Sequence, residues 1–200
     1  ESEASQYIPF ALEEVSIDYY VMGASATSVG DADVMIVAAR KDRVGDMQAL
    51  MSEAGMHLKV LDVASYAAQS AAERIIENLP NAGKDAIIAL VHVGASSIYV
   101  YVMRNGEVLF EREQAFGGVQ LTQHIARLYG MTQEEAESKK IAGQLPDDYA
   151  HVVLQPFIER VAQEIQNILQ FFYNSTPHGK TDYVLLSGGS ASLPKLSDAV

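Results

Sequence analysis

Three short stretches place one or two glycines directly after a strand-like run: Val93-Gly94-Ala95-Ser96-Ser97, Phe116-Gly117-Gly118-Val119-Gln120 and Leu186-Ser187-Gly188-Gly189-Ser190. A residue without a β-carbon lets the backbone come close to a phosphate or a flat base, and N–H groups at the next turn or helix start are anion donors. Any one of these stretches alone reads better as a tight turn with positive φ. Three of them, each after a strand-like run, point to a bound phosphate compound.

Other groupings carry less chemistry. His57, His92, His124, His151 and His178 show no metal-ligand spacing, and without cysteine there is no thiolate zinc site, cysteine nucleophile or disulfide. Ser96 and Ser97 have no nearby histidine and acid to activate them, and Asp147-Asp148 and Glu134-Glu135 read as solvated charges. The Phe171-Phe172-Tyr173 cluster reads as core packing. A net charge of -12 argues against nucleic acid or an anionic lipid surface as the main partner. With 48% hydrophobic and 20% charged residues, the chain has the composition of a folded globular protein.

The elements that must position these turns follow from periodicity. Residues 2–9 read as the tail of a helix ended by Pro9. Val15 to Met22 and Val34 to Ala39 alternate as strands around a polar hairpin loop, Gly23 to Asp33. A helix capped by Asp42 runs to about Ala54, and Leu58 to Val63 reads as a further strand. The alanine-rich helix from Tyr66 to Asn78 leads into a larger unit. Its strands are Ile87 to Val93, Ile98 to Arg104 and Glu107 to Gln114, the last two joined by Asn105-Gly106, a strong hairpin signal. Ala86 to Met103 is thus two strands and a turn, not a membrane span. Helices follow at 120–129, at 132–142 with Thr132 and Glu135 as a capping box, and at 150–174. A strand at 183–186 and a helix from Leu193 complete the pattern. The reading divides the chain into a small α+β unit at 1–63, a connecting helix at 64–81 and a larger unit at 82–200.

Val91 to Ser97 followed by a hairpin resembles the second phosphate loop of the actin-like ATPases, and Leu185 to Ala191 is similar to their adenosine loop. Phe116-Gly117-Gly118 and the helix after it resemble their Gly-Gly turn. Glu137 and Lys140, one helical turn apart, resemble the pair flanking ribose and adenine. Tyr7-Ile8-Pro9-Phe10, Arg112-Glu113 before the Gly-Gly turn with Val119 to Thr122, Leu145-Pro146 and Gln170-Phe171-Phe172 resemble the PilM family, type IV pilus relatives of the cell-division protein FtsA. The resemblance implies an α/β, actin-like (ribonuclease H-like) fold, with a small 1C-type subdomain, a connecting helix of the first lobe and most of the second lobe. It implies nucleotide contacts from Gly94, Ala95, Ser96, Ser97, Gly117, Gly118, Glu137, Lys140, Gly188, Gly189 and Ser190. The implied cofactor is ATP or ADP with magnesium in a complete two-lobed protein, and little nucleotide affinity in these 200 residues alone.

The implied partners are the cytoplasmic N-terminal tail of PilN, other pilus machinery proteins and further copies of the chain. The location is then cytoplasmic, with the membrane reached only through partners. His92 stands where the family motif has a magnesium-associated Asp, and imidazole is a poor ligand for that hard cation. The first phosphate loop is expected before Glu1, and the chain reads as a piece of a longer protein. The expected function is therefore a nucleotide-stabilised adaptor with at most weak ATPase activity. The alternatives are an ATP-hydrolysing motor or filament former, and a scaffold with a vestigial site. The exposed apolar segment from Tyr7 to Phe10 is a second place where a peptide could bind.

Overall fold

The structure, a computed structural model, describes residues 6–25 and 28–200. Contacts divide the chain into two compact units meeting between Val63 and Ala64.

The smaller unit is an antiparallel hairpin followed by a helix. β1 (Val15–Ala24) pairs with β2 (Ala32–Arg40) from Val15↔Arg40 to Ala24↔Ala32, with a bulge between Val21 and Gly23. α1 (Lys41–Glu53) follows directly. Arg40, not Asp42, holds the N-cap position, and Asp42 lies in the first turn. There it accepts the N–H of Arg43 (2.7 Å) and pairs with Arg40 at 2.5 Å, where the helix dipole favours an anion. Residues 56–63 form no strand, contrary to the strand expected at 58–63. No strand pairs with them in the two-stranded sheet, and Val60 and Leu61 are exposed; an apolar-rich run makes a strand only where a partner completes the ladder. Gln6 is in a 3-10 turn and Tyr7 to Phe10 is turn, bend and irregular chain, and residues 2–5 of the expected N-terminal helix lie outside the described residues.

In the larger unit, the strands β3 (Ile88–Val93), β4 (Ile98–Arg104), β5 (Glu107–Gln114) and β6 (Tyr183–Ser187) form a sheet in the order β5-β4-β3-β6. β3 is antiparallel to β4 and parallel to β6, so β3 and β6 end on the same side. Strand alternation sends Ala89, Val91, Val93, Val100 and Val102 into the main core, with α3 (Gly118–Tyr129) and α5 (Gln155–Ser175). Phe157, Val161, Ile165, Ile168 and Phe172 recur at helical spacing, which explains why α5 lies with one face on the sheet. Ile88, Leu90, Tyr101 and Met103 point the other way, onto Ala68, Ala72 and Ile76 of α2 (Ala64–Ile76).

The turns follow from their residues. Asn105 and Gly106 both have positive φ (51° and 81°), as a two-residue hairpin requires, and the Asn105 amide accepts the Asp85 N–H (2.8 Å). Thr132 and Glu135 form the reciprocal cap of α4 (Gln133–Ala142). The long helix expected from Ala150 opens instead with a π-turn at Ala150–Leu154 before α5. The helix expected from Leu193 is shorter: a 3-10 turn at Gly189–Ser192 precedes α6 (Leu196–Ala199).

Candidate functional site

The three glycine turns meet at one end of the larger sheet. His92 of β3 lies beside Ser187 of β6, so the turns following these strands leave side by side, and α3 starts against them. Gly94 is the hub. Its carbonyl accepts the Gly118 N–H (3.0 Å) and the Ser190 hydroxyl (3.2 Å), its N–H donates to the Ser97 carbonyl (3.0 Å), and the Val119 N–H donates to the Ala95 carbonyl (2.8 Å).

Glycine is needed here because backbone meets backbone. A β-carbon on Gly117 would lie 2.6 Å from the carbonyl oxygens of both Gly94 and Ala95. On Gly188, where φ is +90°, it would lie 2.5 Å from the Val93 carbonyl oxygen. On Gly118 it would meet the Ser190 hydroxyl at 2.8 Å, whereas at Gly189 nothing lies within 4 Å.

This arrangement corrects one expectation. The N–H groups at the start of α3 are not free anion donors, because the helix end is capped from within the protein. Gly117 donates to the Gln120 side chain (2.9 Å), Gly118 and Val119 donate to the Gly94–Ala95 turn, and Gln120 donates to the Gly117 carbonyl (3.1 Å). Among the described residues the N–H groups of Ala95, Ser96 and Gly189 have no acceptor. All three residues are exposed.

His92 fills the junction between the turns. Its Nδ1 lies 3.3 Å from the Ser187 hydroxyl, its ring is 6.5 Å from that of Tyr99, and its edge closes the space beside Gly188. Ser97 is turned away from the other two turns: it is buried and its hydroxyl donates to Glu113 (2.7 Å). That bond, then one from Tyr99, holds the Glu113 carboxyl below its ordinary range.

Glu137 and Lys140 are joined on α4 at 2.6 Å, and both reach Thr122 of α3. Lys140 donates to the Thr122 hydroxyl (2.9 Å), and that hydroxyl donates to Glu137 (2.5 Å) while lying 3.2 Å from the Gly118 carbonyl. Lys140, then Thr122, lowers the Glu137 pKa. Thr122 was not among the predicted site residues, although its place one turn beyond Gly118 put it on the same face of α3. Glu113 was missed as a partner of Ser97 because the pairing depends on strand register. No group of three His, Asp or Glu residues able to hold a metal ion occurs among the described residues.

With this geometry in view, the chain is comparable with known proteins. The family model described as type IV pilus assembly protein PilM matches residues 1–200. Among solved structures, a chain of a PilM-PilN type IV pilus biogenesis complex is 26% identical, with a TM-score of 0.70 over 99% of this chain and 57% of that one. The ethanolamine utilization protein EutJ from Carboxydothermus hydrogenoformans is 16% identical, with a TM-score of 0.50 over 84% of this chain and 71% of its own. The archaeal actin homolog Ta0583 in complex with ADP is 10% identical, with a TM-score of 0.53 over 86% of this chain and 53% of its own. The fold is therefore actin-like, and the chain spans little more than half the length of the PilM-PilN complex chain that it matches.

Proposed function

The chain belongs to the type IV pilus assembly PilM family, and from that premise we propose that it serves as a nucleotide-binding adaptor of the pilus assembly platform at the inner membrane. The carrying observation is the meeting of the three glycine turns beside the Thr122–Glu137–Lys140 group. ATP or ADP fits the donors left open there. The N–H groups of Ala95 and Ser96 suit phosphate, Gly189 gives close backbone approach, and Glu137 with Lys140 suits the ribose and base. Bound nucleotide would supply negative charge at these open N–H groups and add to turns already tied through the Gly94 carbonyl. For its magnesium, His92 offers no carboxylate and the described residues no cluster, so adaptor function is favoured over a hydrolytic motor.

The partner on this reading is the cytoplasmic N-terminal tail of PilN, received by the smaller unit. The protein would then lie in the cytoplasm and reach the membrane through that partner. No helix among the described residues is long and apolar enough to cross a membrane. One observation favours the second reading, a scaffold with a vestigial site: the N–H groups at the start of α3 are already satisfied by the protein.

Calorimetric titration of the complete protein with ATP, and separately with a synthetic PilN-tail peptide, distinguishes the readings. The adaptor binds both, and Gly189→Val weakens ATP binding while leaving peptide binding measurable. The vestigial scaffold binds peptide alone.

A further inference from the structure

β5 is an edge strand, and alternate N–H and C=O groups along it face away from the sheet. Its surroundings differ on the two faces. On the α2 face, Glu111 and Glu113 lie opposite Tyr101 and Tyr99, forming a block of two carboxylates beside two rings stacked 6.4 Å apart. At the end of that block a groove of about 390 Å³ is lined by Ser65, Tyr66, Val108, Leu109, Phe110 and Glu111. On the other face Phe171 is 51% exposed, 6.0 Å from Phe110 and under the Arg112 guanidinium.

An open strand edge, apolar side chains on both sides of it and two carboxylates at i and i+2 specify an occupant. A second copy of β5 does not suit it: antiparallel pairing centred on Arg112 sets each Glu111 against a Glu113, and like charges directly opposite are destabilising. We propose that β5 takes an extended segment of a partner protein as an added strand. That segment carries Lys or Arg at two alternate positions facing Glu111 and Glu113, with an apolar residue for the groove beside Tyr66. Main-chain pairing would supply affinity and the carboxylates the choice of partner.

The probe is a ten-residue synthetic peptide of alternating lysine and valine, titrated into this chain while amide exchange is followed residue by residue. Binding should slow exchange at Glu111 and Glu113, and Glu111→Lys should weaken it about tenfold or more, with Glu111→Gln intermediate. A peptide of the same sequence and charge methylated on every backbone nitrogen cannot form the ladder in either direction and should bind at least tenfold more weakly. Equal binding of the methylated peptide would reduce the effect to charge attraction and overturn the proposal. So would unchanged affinity in both Glu111 variants, or protection appearing along β6 or β1 instead of β5.

Discussion

Gly188 and Gly189 are neighbours in sequence with opposite prospects, and substituting each with alanine tests the account of the glycine turns. At Gly188 the backbone has φ +90° and ψ 165°, a region essentially confined to glycine, which costs an alanine about 1–3 kcal/mol. The added methyl would lie 2.5 Å from the Val93 carbonyl oxygen and 2.9 Å from its carbon, atoms fixed in the sheet. Relieving that overlap by moving β3 or β6 costs a further ~1–3 kcal/mol. The two together come to about 4 kcal/mol. For a unit of this size each kcal/mol lowers Tm by roughly 3 °C, so Gly188→Ala should melt about 12 °C below the parent. Gly189→Ala meets nothing within 4 Å at an ordinary φ and should stay within about 0.5 kcal/mol of the parent. The assay is thermal and urea denaturation followed by circular dichroism, without nucleotide. Equal stability of the two variants in that buffer would refute the packing argument and leave ligand approach as the reason for Gly188.

Other outcomes follow from local geometry. Gly45→Ala replaces an interior glycine of α1 with nothing within 4 Å, so the gain of about 0.8 kcal/mol should slow amide exchange across the smaller unit roughly fourfold. Asn105→Ala loses both hydrogen bonds to Asp85 and puts an unsuited residue at φ 51°, which should lower stability by about 2 kcal/mol in urea titration; Asn105→Gly, which keeps the φ, should cost less. Glu137, Glu113 and Asp182 have pKa values lowered in the folded state, by Lys140, Ser97 and Lys180 respectively as the main causes. Their contribution is complete above the ordinary carboxylate range and is lost as pH falls through the folded pKa values. Tm should therefore hold from neutral pH down to that range and then drop, and Lys140→Met should make the drop shallower.

The larger sheet was readable because β3 and β6 are short apolar runs bounded by turn residues and Asn105-Gly106 fixes where β4 turns into β5. The three glycine turns were readable as a set for the same reason, since each follows a strand. Their internal use was not, because a glycine facing another backbone and a glycine facing a ligand have the same sequence signature. Glu113 shows a second limit. Counting back from the Arg104↔Glu107 pair sets Tyr99 opposite Arg112, but the irregularity between Val102 and Met103 shifts the pairing by one, to Glu113. One extra residue thus moves a carboxylate instead of a guanidinium next to Ser97 and Tyr99, and alternation alone carries no sign of it. The missing strand at 58–63 is the converse case: a run rich in Leu and Val was present and the partner strand was not.

His92 fits this division between packing and binding. Its imidazole shares a hydrogen bond with Ser187 and fills the space left by Gly188, so it belongs with the groups that hold the turns together. An aspartate in its place would be shorter. It would leave part of the space beside Gly188 empty and set a half-buried anion at the junction. A nucleotide reaching Ala95, Ser96 and Gly189 would meet turns already tied through the Gly94 carbonyl and would add to a formed structure instead of building one. At a hundred times its Kd it would stabilise the fold by about 2.7 kcal/mol, less than the ~4 kcal/mol at stake in Gly188 alone. On the proposed reading, an adaptor would use that margin to favour its partner-bound state without hydrolysis.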